Sequence, residues 1–195
     1  MRTFIALDIE DDIRERIIRF MEGVREFAPE ARWVRPESLH ITLKFIGEKP
    51  PDLVDRIKGS LAFIESSAVG FHLRGHGFFP TPRAARVFWI GIEAGPELEK
   101  LAGRVDEAMA SLGVPRETHA FSPHLTLARA GGGSGSPARQ RGDRPNRCFD
   151  YLRKRLEKLP NPDFGTMAAH EFFLYESRLG AGGARYTKIA GFMLH

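Results

Sequence analysis

The chain has 195 residues, 42% hydrophobic and 28% charged, with fifteen Phe, which suits a folded domain and not a disordered segment. Its 29 Lys and Arg against 25 Asp and Glu leave a formal charge of +4, compatible with a polyanionic partner without requiring one. A single cysteine, Cys148, excludes an internal disulfide framework and a multi-cysteine metal site. No run approaches the ~20 apolar residues of a membrane span, and the N-terminal MRTFIALDIEDD lacks the apolar core of a signal peptide. The expectation is a soluble, intracellular protein of the cytoplasm.

In chain order, the apolar run Thr3 to Ile9 predicts a buried strand. Glu10 to Phe27 follows at helical spacing, with Ile13, Ile17, Ile18, Met21 and Val24 on one face and Asp11 or Asp12 as cap, ended by Pro29. Leu39 to Ile46 alternates as a strand. Pro50 and Pro51 open a second helix, Asp52 to Ile64. Val69 to Phe79 and Ala85 to Glu93 read as strands joined by the turn PTPRA. Pro96 to Leu112 predicts a helix closed by Gly113. A strand over His124 to Arg129, a Gly/Arg-rich loop from Ala130 to Arg147, and a helix near Phe149 to Leu159 come next. Ala168 to Tyr175 and Arg185 to Leu194 predict two closing strands.

The order repeats. VFWIGIE at 87–93 matches FIALDIE at 4–10, and His124 follows His40 by 84 positions. The expected organisation is one domain, 1–195, of two repeat-like units at about 1–93 and 87–195. The expected class is α+β and bilobal: two pseudo-symmetric lobes of mainly antiparallel sheet, helices outside, and a site in the cleft between them.

His40-Ile41-Thr42-Leu43 and His124-Leu125-Thr126-Leu127 occupy equivalent places in the two units. Residues i and i+2 of a strand share a face, so each motif projects an imidazole with a hydroxyl. One His on a strand is more often structural; two in matching positions, each with the same Thr, are not explained by folding alone. Paired imidazoles supply a base and an acid near neutral pH. Paired hydroxyls donate hydrogen bonds to phosphate oxygens. These are parts for displacement at phosphorus without a metal, since Thr is a poor zinc ligand and no carboxylate or cysteine sits at matching spacing. Neither a cofactor nor a metal is expected.

Secondary candidates surround the motifs. Arg129 could hold phosphate or stack on a base. Lys44 shares the face of His40 and Thr42 if the strand is regular, which offers a phosphate contact. Trp33 could stack on a base. Phe45 alternates away from His40 toward the core, and Phe78 and Phe79 read as core. His72 and His76 would share a face on a regular strand, but Gly75 and Gly77 interrupt it. From Arg129 to Lys158 stand nine basic and three acidic residues, a local excess suited to a phosphate backbone, or simply a solvated charged run.

RWVRPESLHITLKFIGE (32–48), GFFPTPRAARVFWIGI (77–92), FSPHLTLARA (121–130) and SRLGAGGARYTKIAGFML (177–194) carry a resemblance across nearly the whole chain. Together with the paired His-x-Thr motifs they are similar to the RNA 2',3'-cyclic phosphodiesterase family (2'-5' RNA ligase, ThpR/LigT-like) of the two-histidine (2H) phosphoesterases. The loop after Arg129 matches least well. The resemblance implies a cleft site and hydrolysis of a 2',3'-cyclic phosphate RNA end to a 2'-phosphate. In that reading His40 is the proton donor, His124 the proton acceptor, Thr42, Thr126, Arg129, Lys44 and Trp33 bind substrate, and the partner is RNA with a cyclic phosphate or a 2'-5' linkage. Reversible 2'-5' joining of RNA ends is a second implied reaction, and a monomer is expected. The alternatives are a 2H hydrolase of small cyclic nucleotides or ADP-ribose cyclic phosphate, and a non-catalytic binder of RNA ends.

Overall fold

A computed structural model describes residues 1–131 and 147–195. Strand β1 (Arg2–Leu7) leads to helix α1 (Asp11–Val24), a 3-10 turn (Arg25–Phe27) and a short strand β2 (Arg32–Trp33). After a 3-10 turn at Pro36–Ser38 come β3 (Ile41–Glu48), α2 (Pro51–Leu61), β4 (Val69–Phe79), β5 (Val87–Ala94), α3 (Pro96–Ala110) and β6 (His124–Arg129). The chain closes with α4 (Asp150–Leu156), β7 (Asp163–Ala169), β8 (Glu171–Gly180) and β9 (Gly183–Met193). The class is α+β.

The helices form where apolar residues recur every three or four positions. Ile13, Ile17, Met21 and Val24 are the buried stripe of α1, and Leu98, Leu101, Ala102, Val105 and Met109 that of α3. Asp11 and Asp12 do not cap α1: the cap position is Glu10, without a side-chain bond, and both aspartates lie in the first turn, where they favour the positive end of the helix dipole. Gly113 takes φ 84, the left-handed conformation that lets the Val114 N–H reach Met109 O and close α3. Two strands escape the sequence pattern. β2 is only two residues long, and the single strand expected over Ala168 to Tyr175 is the end of β7 and the start of β8, broken between Ala169 and Glu171. Gly165, at φ 98, and the small residues of DFGTMAA mute the alternation that would mark β7.

One antiparallel sheet carries the order β7-β4-β5-β6-β3-β1-β8-β9, with β2 on the flank of β6. It divides into two lobes, β3-β1-β8-β9 and β6-β5-β4-β7, which meet where β6 meets β3. The lobes do not follow the division at 1–93 and 87–195: β4 pairs with β5 and β7, and the hairpin β8–β9 returns from the C-terminus to pair with β1. Ile5, Leu7, Ile41, Leu43, Phe88, Ile90, Leu125 and Leu127 turn their side chains into the core beneath the sheet with the helices. The opposite face holds a separate small cluster of Phe4, Ala6 and Tyr175, with Phe173 and Tyr186 against it.

The registers of the two lobes match. Phe4 faces Phe45 and Ala6 faces Thr42, as Val87 faces Arg129 and Trp89 faces Thr126. In both pairs the register slips by one residue after the Thr, so each His-x-Thr strand carries a β-bulge at the same place.

Candidate active site

Only one residue pair joins β3 to β6, and it is Ile41 opposite Leu125, the middle residues of the two motifs. Antiparallel pairing of equivalent residues makes the seam a local two-fold. It sets His40 across from Thr126 and Thr42 across from His124, all four on the face opposite the buried Ile41 and Leu125. The seam therefore gathers two imidazoles and two hydroxyls on one face of the sheet, where the two lobes meet.

Both rings are oriented by main chain. His40 Nδ1 lies 2.7 Å from Ser38 O, and His124 Nδ1 lies 2.8 Å from Ser122 O. A carbonyl only accepts, so each Nδ1 carries the proton and donates it. That leaves Nε2 of each neutral ring as the free base. Thr42 Oγ1 stands 3.1 Å from His40 Nε2 and donates to it. Ser38 and Ser122 were not singled out from the sequence, although Ser precedes His by two positions in both motifs. Their role is carried by backbone oxygens, which residue type does not report.

The surroundings of the two rings differ. His40 sits in an aromatic corner: Phe4 at 4.8 Å, Tyr186 edge-on at 5.3 Å and Tyr175 at 6.3 Å. Burial in that corner holds the His40 pKa below the ordinary imidazole value. The nearby charges of Arg129 and His124 push the same way, while the bond to Ser38 and the Asp8 carboxylate oppose them. Asp8 accepts from Arg14 at 2.6 Å and from Lys188 at 2.5 Å. Burial opposes its ionisation, but the bonds and charges from Lys188, Ile9 N–H and Arg14 outweigh that and keep its pKa below the usual carboxylate value. Phe79 meets the His124 ring edge-on at 5.1 Å, with Trp89 at 6.3 Å. Gly77 makes room for Trp89, since a side chain there would collide with the indole. Phe78, by contrast, stacks on Phe88 in the core.

The bulges decide where the remaining candidates point. Lys44 does not share the face of His40 and Thr42. The extra residue after Thr42 turns it to the helix side, where it is only 2% exposed. There its ammonium donates to Asp106 at 2.6 Å and Pro115 O at 2.7 Å, with Glu117 at 3.1 Å. A phosphate contact by Lys44 is thereby excluded. The same bulge corrects Phe45, which lies on the cleft face, 51% exposed, under the Arg2 guanidinium at 5.2 Å. The matching bulge in β6 puts Arg129 on the cleft face, as its reach to His40 requires. Trp33 does not line the cleft: its indole N–H donates to Ala28 O at 3.1 Å and its ring meets Phe88 edge-on in the core. His72 and His76 are parted by the slip around Gly75; His72 bonds Asp163 at 2.7 Å, and His76 faces Phe78 and Phe88.

Among the described residues no three His, Cys, Asp or Glu side chains cluster as a metal site requires, and no helix is long and apolar enough to cross a membrane. Of the basic run, residues 132–146 lie outside the described residues.

The fold and the paired site define a two-lobed phosphoesterase, and comparison with known proteins places it. A family model described as "LigT like Phosphoesterase" matches residues 7–89 and again 90–186. The RNA 2',3'-cyclic phosphodiesterase of Archaeoglobus fulgidus is 33% identical over 195 residues, 98% of this chain and 99% of its own length. That of Methanocaldococcus jannaschii is 31% identical, over 97% of this chain and 98% of its own. The crystal structure of E. coli LigT with 3'-AMP superposes with a TM-score of 0.76 at 28% identity, covering 99% of this chain and 97% of the other. The chain belongs to the LigT-like phosphoesterase family.

Proposed function

We propose that the chain is an RNA 2',3'-cyclic phosphodiesterase that opens the cyclic phosphate to a 2'-phosphate without a metal. The observation that carries this is the seam: Ile41 paired with Leu125 brings both His-x-Thr motifs onto one face with each Nδ1–H donated to a carbonyl. The relatives named for this activity, matched over nearly their full length, support the same reaction.

The chemistry follows from the geometry. His124 Nε2 takes a proton from water, whose oxygen attacks phosphorus in line with the 3'-oxygen. The P–O3' bond breaks, and protonated His40 gives its Nε2 proton to the departing oxygen. The 2'-oxygen stays bonded to phosphorus. Thr42 and Thr126 hydroxyls donate to the non-bridging oxygens, and Arg129 adds positive charge where negative charge builds. When His40 is protonated its Nε2 no longer accepts from Thr42, which frees that hydroxyl hydrogen for the phosphate. With a 5'-hydroxyl in place of water, the same attack and the same departure of the 3'-oxygen join RNA ends through a 2'-5' linkage, and the reverse, attack of that 3'-hydroxyl on the linkage, re-forms the cyclic phosphate. We read the chain as one domain of two repeat units, about 1–93 and 87–195; the matching strand registers and the double family match support that reading.

The test is an RNA ending in a 2',3'-cyclic phosphate, incubated in EDTA. The expected product is the 2'-phosphate end. Absence of turnover refutes the phosphodiesterase reading, and loss of turnover to EDTA refutes the metal-free one. Equal or better turnover of mononucleotide cyclic phosphates moves the reading to a small-molecule hydrolase.

A further inference from the structure

Arg32 lies directly opposite Arg129 in the β2–β6 pair, and its neighbour Trp33 lies opposite Ala128. Residues directly opposite in an antiparallel pair share a face. Trp33 and Ala128 turn into the core, so Arg32 and Arg129 both stand on the cleft side, and both are exposed. Two like charges directly opposite each other destabilise a strand pair. Among the described residues neither guanidinium has a carboxylate partner to offset that, although the surface elsewhere is rich in ion pairs such as Arg74–Glu93 and Arg116–Glu107. A local rule broken without structural compensation is a mark of a binding function. The place is informative too: the pair begins three residues beyond Thr126 on the strand that carries His124, and the charge of Arg129 reaches His40.

We infer that Arg32 and Arg129 together hold the phosphodiester group immediately upstream of the terminal cyclic phosphate, so that Arg32 sets the preference for an RNA chain over a mononucleotide. The inference rests on the RNA phosphodiesterase reading. Two planar forks side by side suit one anionic phosphodiester, each able to donate two parallel N–H bonds. A mononucleotide cyclic phosphate carries no such group and leaves Arg32 without a partner.

The test compares uridine 2',3'-cyclic phosphate with an adenylyl-uridine dinucleotide ending in the same cyclic phosphate. Charge-assisted bonds of this kind correspond to roughly 10–100-fold in affinity. In Arg32→Gln the ratio of kcat/KM on the dinucleotide to that on the mononucleotide is expected to fall about tenfold or more, with partial recovery in Arg32→Lys. Making the upstream linkage an uncharged methylphosphonate should cost the wild-type protein at least that factor and cost Arg32→Gln distinctly less, since only the Arg129 contact is then left to lose. The melting temperature of Arg32→Gln should not fall, since the change relieves a repulsion. An unaltered ratio, an equal loss on both nucleotides, or fully additive losses with the methylphosphonate would each overturn the inference. If the wild-type protein turns over neither nucleotide, the phosphodiesterase reading falls instead, and equilibrium binding of the same two nucleotides still decides the role of Arg32.

Discussion

Each histidine is oriented by a carbonyl two residues earlier and flanked by aromatic rings. Removing either ring removes one proton transfer, worth roughly 10²–10⁴-fold, so His40→Ala and His124→Ala should each lose that much kcat with an unchanged circular dichroism spectrum. The two roles separate on a substrate whose 3'-bridging oxygen is sulfur. A thiolate departs without protonation, so this substrate should restore His40→Ala but not His124→Ala; the reverse pattern would exchange acid and base. Burial holds His40 low, and a proton donor works only when protonated. The limb of kcat/KM that reports His40 should therefore lie at a pH below the ordinary imidazole value. In kcat it should move upward, because bound phosphate favours the imidazolium. A pH titration of both constants checks this. Thr42→Val and Thr126→Val each delete one donor to a phosphate oxygen and should lower kcat/KM by roughly 10–100-fold.

At the scale of elements, the two bulges matter more than the strands that contain them. A regular strand would put Lys44 beside His40 and hide Phe45 in the core. The bulge after Thr42 exchanges them, and the ammonium instead ties β3 to α3 and to the segment that leads to β6. Lys44→Met removes one partner of a buried pair, which costs about 3–5 kcal/mol when the remaining charge stays buried. Because the Asp106 carboxylate is partly exposed, the expected loss is at the lower end, about 3 kcal/mol, measured by urea unfolding. Asp8, which joins β1, α1 and β9, has a lowered pKa. A lowered carboxylate pKa contributes stability that is complete above the unfolded value near 3.8 and is lost as pH falls through the folded value. Asp8→Asn should flatten the acid side of a stability-versus-pH curve.

For the whole molecule, the pseudo-two-fold at the seam is the organising feature, and a single residue pair holds it. Leu125 is fully buried there, and Leu125→Ala should cost about 2–5 kcal/mol. Activity should fall before global unfolding, because the two His-x-Thr strands lose their register first; parallel activity and fluorescence melts check the order. The lobes also interlock, since the C-terminal hairpin β8–β9 pairs with β1 and supplies Tyr175 and Tyr186 to the corner around His40. A truncation that removes the hairpin should expose His40 and abolish turnover, not merely lower it.

Much of this was legible from the chain alone. Helical spacing set α1 to α3 and alternation set β3, because burial on one face imposes period 3.6 or 2 on the residues themselves, while a continuous apolar run set β1, which is buried on both faces. The duplicated His-x-Thr marked the cleft because identical chemistry at a fixed offset has no packing explanation. What the chain could not state were properties that belong to two segments at once. These are the slip of one residue between β3 and β1 that turns Lys44 away and Phe45 outward, the edge contact that takes Trp33 into the core, and the return of β8–β9 to the first lobe. Ser38 and Ser122 act through carbonyl oxygens that every residue possesses, so only the path of the backbone distinguishes them. Arg32 became notable only once β2 was seen to lay it against Arg129. Local residue patterns determined the elements and the candidate reacting groups; the pairing of distant strands, driven by burial of their apolar faces, decided which groups meet.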